Sequence, residues 1–294
     1  MAEQKRYFDP QLLSTIAPLS LQARLVVEGV LSGLHNSPYK GFSVEFSEHR
    51  EYTPGDEIRH IDWKAYGRFD RYFIKEYEEE TNLRCYLLVD CSASMGYGSN
   101  GVSKFDYASY LAAALAYLMQ KQQDLVSLVL FGQEVRKQLP PKSNPGHLQA
   151  ILNALEQTVP AGETSVGKVL HHLVSSIKRR SLVILLSDLL DDQETVMRGL
   201  RHLRHRKNEV LVFQIFDPTE IEFPFRDFTR FEDLEGPVKV ITDPRAIAQE
   251  YRRNVMEFIQ YYRQQCRLHY IDYQLFSTAT PLDKALLQYL AWRK

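Results

Sequence analysis

Residues 83–96 read Leu-Arg-Cys-Tyr-Leu-Leu-Val-Asp-Cys-Ser-Ala-Ser-Met-Gly. An unbroken apolar run ends on a carboxylate, Asp90, and two hydroxyls follow at Ser92 and Ser94. A short continuous apolar run of this kind fits a strand buried on both faces, as the strands of a parallel sheet are. The same design returns at SLVILLS (181–187), which ends on Asp188, and in EVLVFQIFD (209–217). Helical periodicity falls between the apolar runs, at 104–122, 146–158, 165–179 and 192–206. Alternating strands and helices imply parallel strands, right-handed crossovers and helices on both faces of one sheet.

Further strands are predicted at 124–132, 134–139 and 267–276, which brings the sheet to six. Only Gly132-Gln133 separates two of them, so 134–139 is expected to turn back antiparallel. Local strand character runs to about 243, and helices at 244–264 and 282–292 close the chain. The helix at 104–122 is apolar on nearly every face, which predicts burial between the sheet and another layer. The fold class expected is α/β: a doubly wound, mostly parallel six-stranded sheet over 83–294 with a C-terminal helix. Residues 1–82 form an N-terminal helical and small-strand extension. Its helix is predicted over 10–34 with a break at Pro18, and short extended pieces over 39–82 are punctuated by Gly41, Pro54-Gly55 and Gly67.

Open α/β sheets hold ligands outside the carboxyl ends of their strands. Asp90, Ser92, Ser94 and Asp188 stand there, and Ala161-Gly162-Glu163-Thr164-Ser165 adds the hydroxyl of Thr164 at the start of a helix. Carboxylate and hydroxyl oxygens are hard donors suited to one Mg²⁺ or Mn²⁺ ion. The plainer alternative is a set of helix caps and turns, which Ser and Asp favour anyway.

Other classes are disfavoured. Net charge is -1, so no global field recruits nucleic acid. No run approaches the ~18 apolar residues of a membrane span. Three cysteines without metal-ligand spacing, and an N-terminus lacking the apolar core of a signal peptide, predict a cytoplasmic protein.

Asp90, Ser92, Ser94, Thr164 and Asp188 together resemble the metal-ion-dependent adhesion site of von Willebrand factor A domains. That resemblance implies direct ligation by the serines and threonine and largely water-mediated ligation by the aspartates. It also implies one coordination position open to a partner's carboxylate. Upstream, Glu45-Phe46, Arg50-Glu51-Tyr52-Thr53-Pro54-Gly55-Asp56-Glu57-Ile58-Arg59-His60-Ile61-Asp62-Trp63 and Tyr66-Gly67-Arg68 form a second signature. With the downstream motif it resembles the bacterial family known as "domain of unknown function 58", from about Leu19 to Leu290. The resemblance implies a von Willebrand factor A-like domain with an N-terminal extension. It also implies association with MoxR-type AAA+ ATPases in chaperone-like maturation of other proteins. Arg50, Tyr52, Asp56, Arg59, Asp62, Trp63 and Arg68 read either as a charged clamp that braces the extension, with Trp63 at least half buried, or as a partner-docking surface.

The expectation is therefore a non-catalytic, divalent-metal-dependent interaction module serving an ATPase or its client through an acidic residue. The alternative is a Mg²⁺-dependent phosphohydrolase with Asp90 as nucleophile. Such sites place a second carboxylate two residues on, where this chain has Ser92. The chain also lacks a Walker-type phosphate loop and a Ser-His-Asp arrangement with an elbow motif.

Overall fold

The computed structural model describes residues 19–35, 50–51, 73–74 and 83–292. In chain order the first elements are helix α1 (Leu19–His35) and the two-residue strands β1 (Arg50–Glu51) and β2 (Phe73–Ile74), which pair antiparallel. The apolar run then forms β3 (Arg84–Asp90), buried from Cys85 onward. It is followed by α2 (Lys104–Lys121), β4 (Leu125–Phe131), β5 (Val135–Lys142), α3 (Pro145–Glu156), α4 (Val166–Ser176) and β6 (Leu182–Ser187). The chain continues through α5 (Gln193–His205), β7 (Glu209–Phe216), the short α6 (Pro218–Glu222), β8 (Thr229–Glu232) and β9 (Lys239–Thr242). It ends with α7 (Pro244–Leu268), β10 (Asp272–Ser277) and α8 (Leu282–Trp292).

Six strands form one sheet in the order β10-β7-β6-β3-β4-β5. All neighbours run parallel except β4 and β5. β5 extends past the predicted end through Pro140 and Pro141, which an edge strand tolerates because one side of its backbone needs no ladder partner. β10 starts later than predicted because α7 runs on to Leu268, after which Tyr270 turns the chain at φ 55°. The stretch read as local strand divides into α6 and the β8–β9 hairpin. α6 starts where the Asp217 carboxylate accepts the Thr219 N–H and Glu220 reciprocates to the Asp217 N–H.

Period-two alternation sorts β3 between two cores. Cys85, Leu87 and Val89 face a cluster built with α1, α2, α3 and α8, whereas Tyr86 and Leu88 face one built with α4, α5 and α7. α2 explains the first cluster's thickness. Its run of Leu111, Ala112, Ala113, Ala114, Leu115 and Ala116 is buried all round. Ala23, Val26, Val27 and Val30 of α1, and Leu282, Ala285 and Leu286 of α8, belong to the same core as the sheet. A helix apolar on every side is stable in water only inside such a sandwich. Among the described residues no helix is long and apolar enough to cross a membrane.

Leu115 is fully buried in that middle layer. Leu115→Ala should lower unfolding free energy by about 2–5 kcal/mol, read by urea denaturation, because the packed layers relax only partly around the cavity.

Candidate metal centre

The parallel pairing of β3 with β6 puts Val89 opposite Leu186, so Asp90 and Asp188 leave neighbouring strands at the same sheet edge. Two loops are laced together above them. Ala93 N–H donates to Gly162 O at 2.8 Å and Ala161 N–H donates to Cys91 O at 3.1 Å. Ser165 N–H donates to Gly132 O at 3.1 Å, fixing the Thr164 segment against the end of β4. Gly162 sits at φ 66°, the left-handed region that glycine enters without steric cost. Arg136 closes the loop from outside by donating to Ala161 O.

Asp90 is fully buried and, among the described residues, its hydrogen bonds all come from neutral donors. Oδ1 accepts the Ser92 N–H at 3.0 Å. Oδ2 accepts the Ser187 hydroxyl at 2.7 Å and the Thr164 hydroxyl at 3.3 Å. The Ser92 and Ser94 hydroxyl oxygens stand 3.1 Å apart. Two ligands on adjacent vertices of a Mg²⁺ octahedron, each about 2.1 Å from the ion, are about 3 Å apart, so this hydroxyl pair has the spacing of an octahedral edge.

Asp188 belongs to a different contact set. Its Oδ2 accepts from Lys104 Nζ at 2.8 Å, and its Oδ1 accepts the Leu190 N–H at 3.1 Å. Lys104 is itself fully buried and also donates to Glu220 Oε1 at 2.7 Å. The structure thus joins Asp90, Ser92, Ser94 and Thr164 by hydrogen bonds, while Asp188 faces the lysine beside them. Between β6 and α5, Leu189 takes φ 62°, a strained conformation for a bulky residue, and its N–H donates to the Ser187 hydroxyl. Gln214 and Tyr262 hold this turn by donating to Asp188 O and Leu189 O.

Burial pushes the Asp90 carboxyl up, and the nearby Asp188 carboxylate pushes it further. Hydrogen bonds from Ser187 and Ser92 work the other way, and the balance lies at about 7. For Lys104, burial disfavours the ammonium, but the carboxylates of Asp188 and Glu220 outweigh that and raise its pKa. The Cys91 thiol is pushed up to about 11, chiefly by burial, so no thiolate competes for a cation at neutral pH. Among the described residues no three His, Cys, Asp or Glu side chains converge as a ready-made cage. A cation here would be held mainly by Ser92, Ser94 and Thr164 hydroxyls around Asp90, a donor set that fits a hard divalent ion. A cavity of about 490 Å³ opens beside Ser94, walled by Tyr97, Phe223, Phe231, Tyr251 and Glu235.

Over residues 48–260 the chain matches the family described as "Protein of unknown function DUF58". The chain belongs to this family. Uncharacterized protein Rv1480 of Mycobacterium tuberculosis is 27% identical over 250 residues, which cover 83% of this chain and 78% of the relative. Two solved structures are similar at lower identity. Conserved hypothetical protein BatB from Bacteroides thetaiotaomicron is 16% identical with a TM-score of 0.48, covering 71% of this chain and 98% of its own. A von Willebrand factor type A protein from Catenulispora acidiphila is 15% identical with a TM-score of 0.36, covering 58% and 41%.

The DUF58 match begins inside the upstream signature, after Glu45-Phe46 and just before Arg50. Of that signature Arg50 starts β1, where it stands opposite Ile74. Tyr52, Asp56, Arg59, Asp62, Trp63 and Arg68 lie outside the described residues. Sequence reasoning missed Lys104, Ser187, Glu220 and Glu235. Lys104 had a signal: a lysine opening a buried helix opposes the helix dipole and needs an anionic partner. Glu235 had none, because it sits in an ordinary charged turn.

Two outcomes follow from this electrostatics. Lys104→Met leaves Asp188 and Glu220 without their cation, so it should lower unfolding free energy by about 3–5 kcal/mol in urea titrations. Asp90 titrates above the ordinary carboxylate value of about 3.9, so its ionisation costs folded stability. That cost is absent below the unfolded value and is complete above the folded one. With chelator present, the stability of Asp90→Asn relative to the parent should therefore climb between about pH 4 and 7, by at most about 1.4 kcal/mol per unit, then level off. A difference that stays flat over that window would remove the buried-charge assignment.

Proposed function

We propose that this protein is a von Willebrand factor A-like, non-catalytic adaptor that uses one Mg²⁺ or Mn²⁺ ion to grip a partner's acidic side chain. The observation that carries the reading is Asp90: a fully buried carboxylate bonded, among the described residues, by neutral donors alone, beside three hydroxyls at a strand-end edge. A divalent ion, when bound, supplies the missing positive charge and a position for an incoming carboxylate. Ser92, Ser94 and Thr164 hold it through their hydroxyls, and Asp90 holds the charge balance. Ser187 fixes the orientation of Asp90, and Lys104 holds Asp188 in place.

The chain's own groups favour adhesion over turnover. Both Asp90 oxygens are engaged and the residue is fully buried, which leaves a poor path for nucleophilic attack on a phosphate ester. Position 92 offers a hydroxyl in place of a general acid. The partner that the family resemblance suggests is a MoxR-type AAA+ ATPase or its client, met in the cytoplasm. Neutral hydroxyl ligands make the grip modest and reversible, in keeping with a switched contact. The Arg50–Arg68 segment serves this reading as either brace or second docking surface.

The test pairs metal and partner. Mn²⁺ titration should show one site that Asp90→Ala abolishes, and Ser187→Ala should weaken it about 10–100-fold by freeing the Asp90 carboxylate. Capture of the ATPase should be lost with chelator and with Ser92→Ala/Ser94→Ala, while the ATPase keeps its own turnover. Equal capture in chelator sinks the adhesion reading. Hydrolysis of phosphate esters, lost in Asp90→Asn, favours the phosphohydrolase instead.

A further inference from the structure

A carboxylate of the chain itself already reaches into this face. Glu235, in the turn of the β8–β9 hairpin, spans the two loops that carry the hydroxyls. Its Oε2 accepts the Thr164 N–H at 2.9 Å and its Oε1 accepts the Ser94 N–H at 3.4 Å. Each oxygen therefore lands on the backbone of a residue whose hydroxyl belongs to the candidate centre. Glu235 is half buried although Asp233, Leu234 and Pro237 of the same turn are exposed.

The hairpin is built to present it. Asp233 N–H donates to Val238 O at 2.9 Å, closing the turn, and the Asp233 carboxylate accepts the Glu235 N–H at 2.9 Å. A Cβ at Gly236 would lie 2.7 Å from Asp233 Oδ2, so a side chain there would push aside the carboxylate that accepts the Glu235 N–H. At the root, Phe231 stacks on Phe223 at 5.5 Å and meets Phe225 edge-on at 5.4 Å. Phe223 also packs on Tyr251 of α7 at 4.3 Å. This aromatic root fixes the hairpin's angle over the sheet edge, and the hairpin in turn forms one wall of the adjoining cavity.

We propose that Glu235 is a tethered internal ligand. Its carboxylate holds the place that a partner's carboxylate would take, and the hairpin keeps the metal face closed until a partner displaces it. This inference rests on the metal-dependent reading above. A tethered group acts at an effective concentration in the millimolar range or higher. A lone free carboxylate therefore competes poorly, and a protein surface that adds further contacts competes well. The closed state thus discriminates against small acids in the cell. Ion binding and hairpin seating also reinforce each other: without the ion, Glu235 adds negative charge at Thr164, which Asp90 also contacts, and with it that repulsion becomes attraction. Linkage makes the effect reciprocal.

Mn²⁺ serves as the probe, read by electron paramagnetic resonance for affinity and by water-proton relaxation for waters on the ion. Glu235→Gln should weaken Mn²⁺ binding about 5–100-fold and increase relaxation per bound ion, as water replaces the carboxylate. Acetate should then lower relaxation in Glu235→Gln at concentrations that leave the parent unchanged. Glu232→Gln, on the exposed side of the same hairpin, should match the parent, and circular dichroism should show both variants folded. Glu235→Asp, one methylene shorter, should fall between parent and Gln variant. Equal affinity and relaxation in parent and Glu235→Gln, or tighter binding in the variant, overturns the internal ligand while leaving the metal reading intact. Absence of Mn²⁺ binding in the parent and in every variant overturns both.

Discussion

The arrangement at the sheet edge turns on one buried ammonium. Lys104 opens α2, where the helix dipole already supplies positive charge, and it lies wholly inside the protein. Such a group persists only if anionic partners exceed the cost of desolvation. Asp188 and Glu220 supply them at 2.8 and 2.7 Å. Three elements are thereby tied to one point: the start of α2, the exit of β6 and the short α6. A third carboxylate, Asp217, reinforces the same corner by accepting from Ser99, Thr219 and Thr278. Because Lys104 satisfies Asp188, it also decides which strand-end carboxylate would be left to attract the proposed cation. Asp90 is left, with hydroxyls and an amide for company.

That division of labour follows from topology. β3 occupies the middle of the sheet, so its C-terminal end is flanked by β4 on one side and β6 on the other. The Thr164 segment is drawn in from the β4 side through Ser165 and Gly132, and Ser187 arrives from the β6 side. Neither approach depends on a flexible side chain spanning a gap: one is a backbone ladder between loops, the other a serine at the last position of a buried strand. The strained Leu189 marks the cost of ending β6 so abruptly, and its own N–H recovers part of that cost on Ser187.

The legible part of this design was the part written in local patterns. Unbroken apolar runs identified β3, β4, β6 and β7 because strands buried on both faces carry no polar alternation. The two-residue gap at Gly132-Gln133 identified the antiparallel β5, and the all-apolar α2 announced a layer on its far side, which α1 and α8 provide. Asp90, Ser92, Ser94, Thr164 and Asp188 were visible because strand ends and helix starts are local signals. What escaped was set by tertiary meeting. No local pattern shows that Asp188 will face Lys104, 84 positions away, or that Glu235 will meet Thr164 across 71. The hairpin itself was blurred because β8 and β9 are four residues each and largely exposed, so neither carries an apolar run.

The balance of charge at this edge gives the protein a reason to couple ion and partner rather than bind either one alone. Asp188 and Glu220 contact the Lys104 ammonium, Asp90 lies buried on the neighbouring strand end and Glu235 reaches the adjoining loops, so negative charge gathers here in groups that are buried or half buried and poorly screened. A divalent cation relieves the excess. In the proposed cycle a partner's carboxylate would restore part of it, and would be tolerated only while the cation stays and only once Glu235 withdraws. Each ligand thus changes the cost of the next through electrostatics alone, with no rearrangement of the sheet required. A device of this kind would be stiff in its core and still switch, because the proposed movement is confined to one hairpin tip on an aromatic root, while the strand ends stay where the buried lysine pins them.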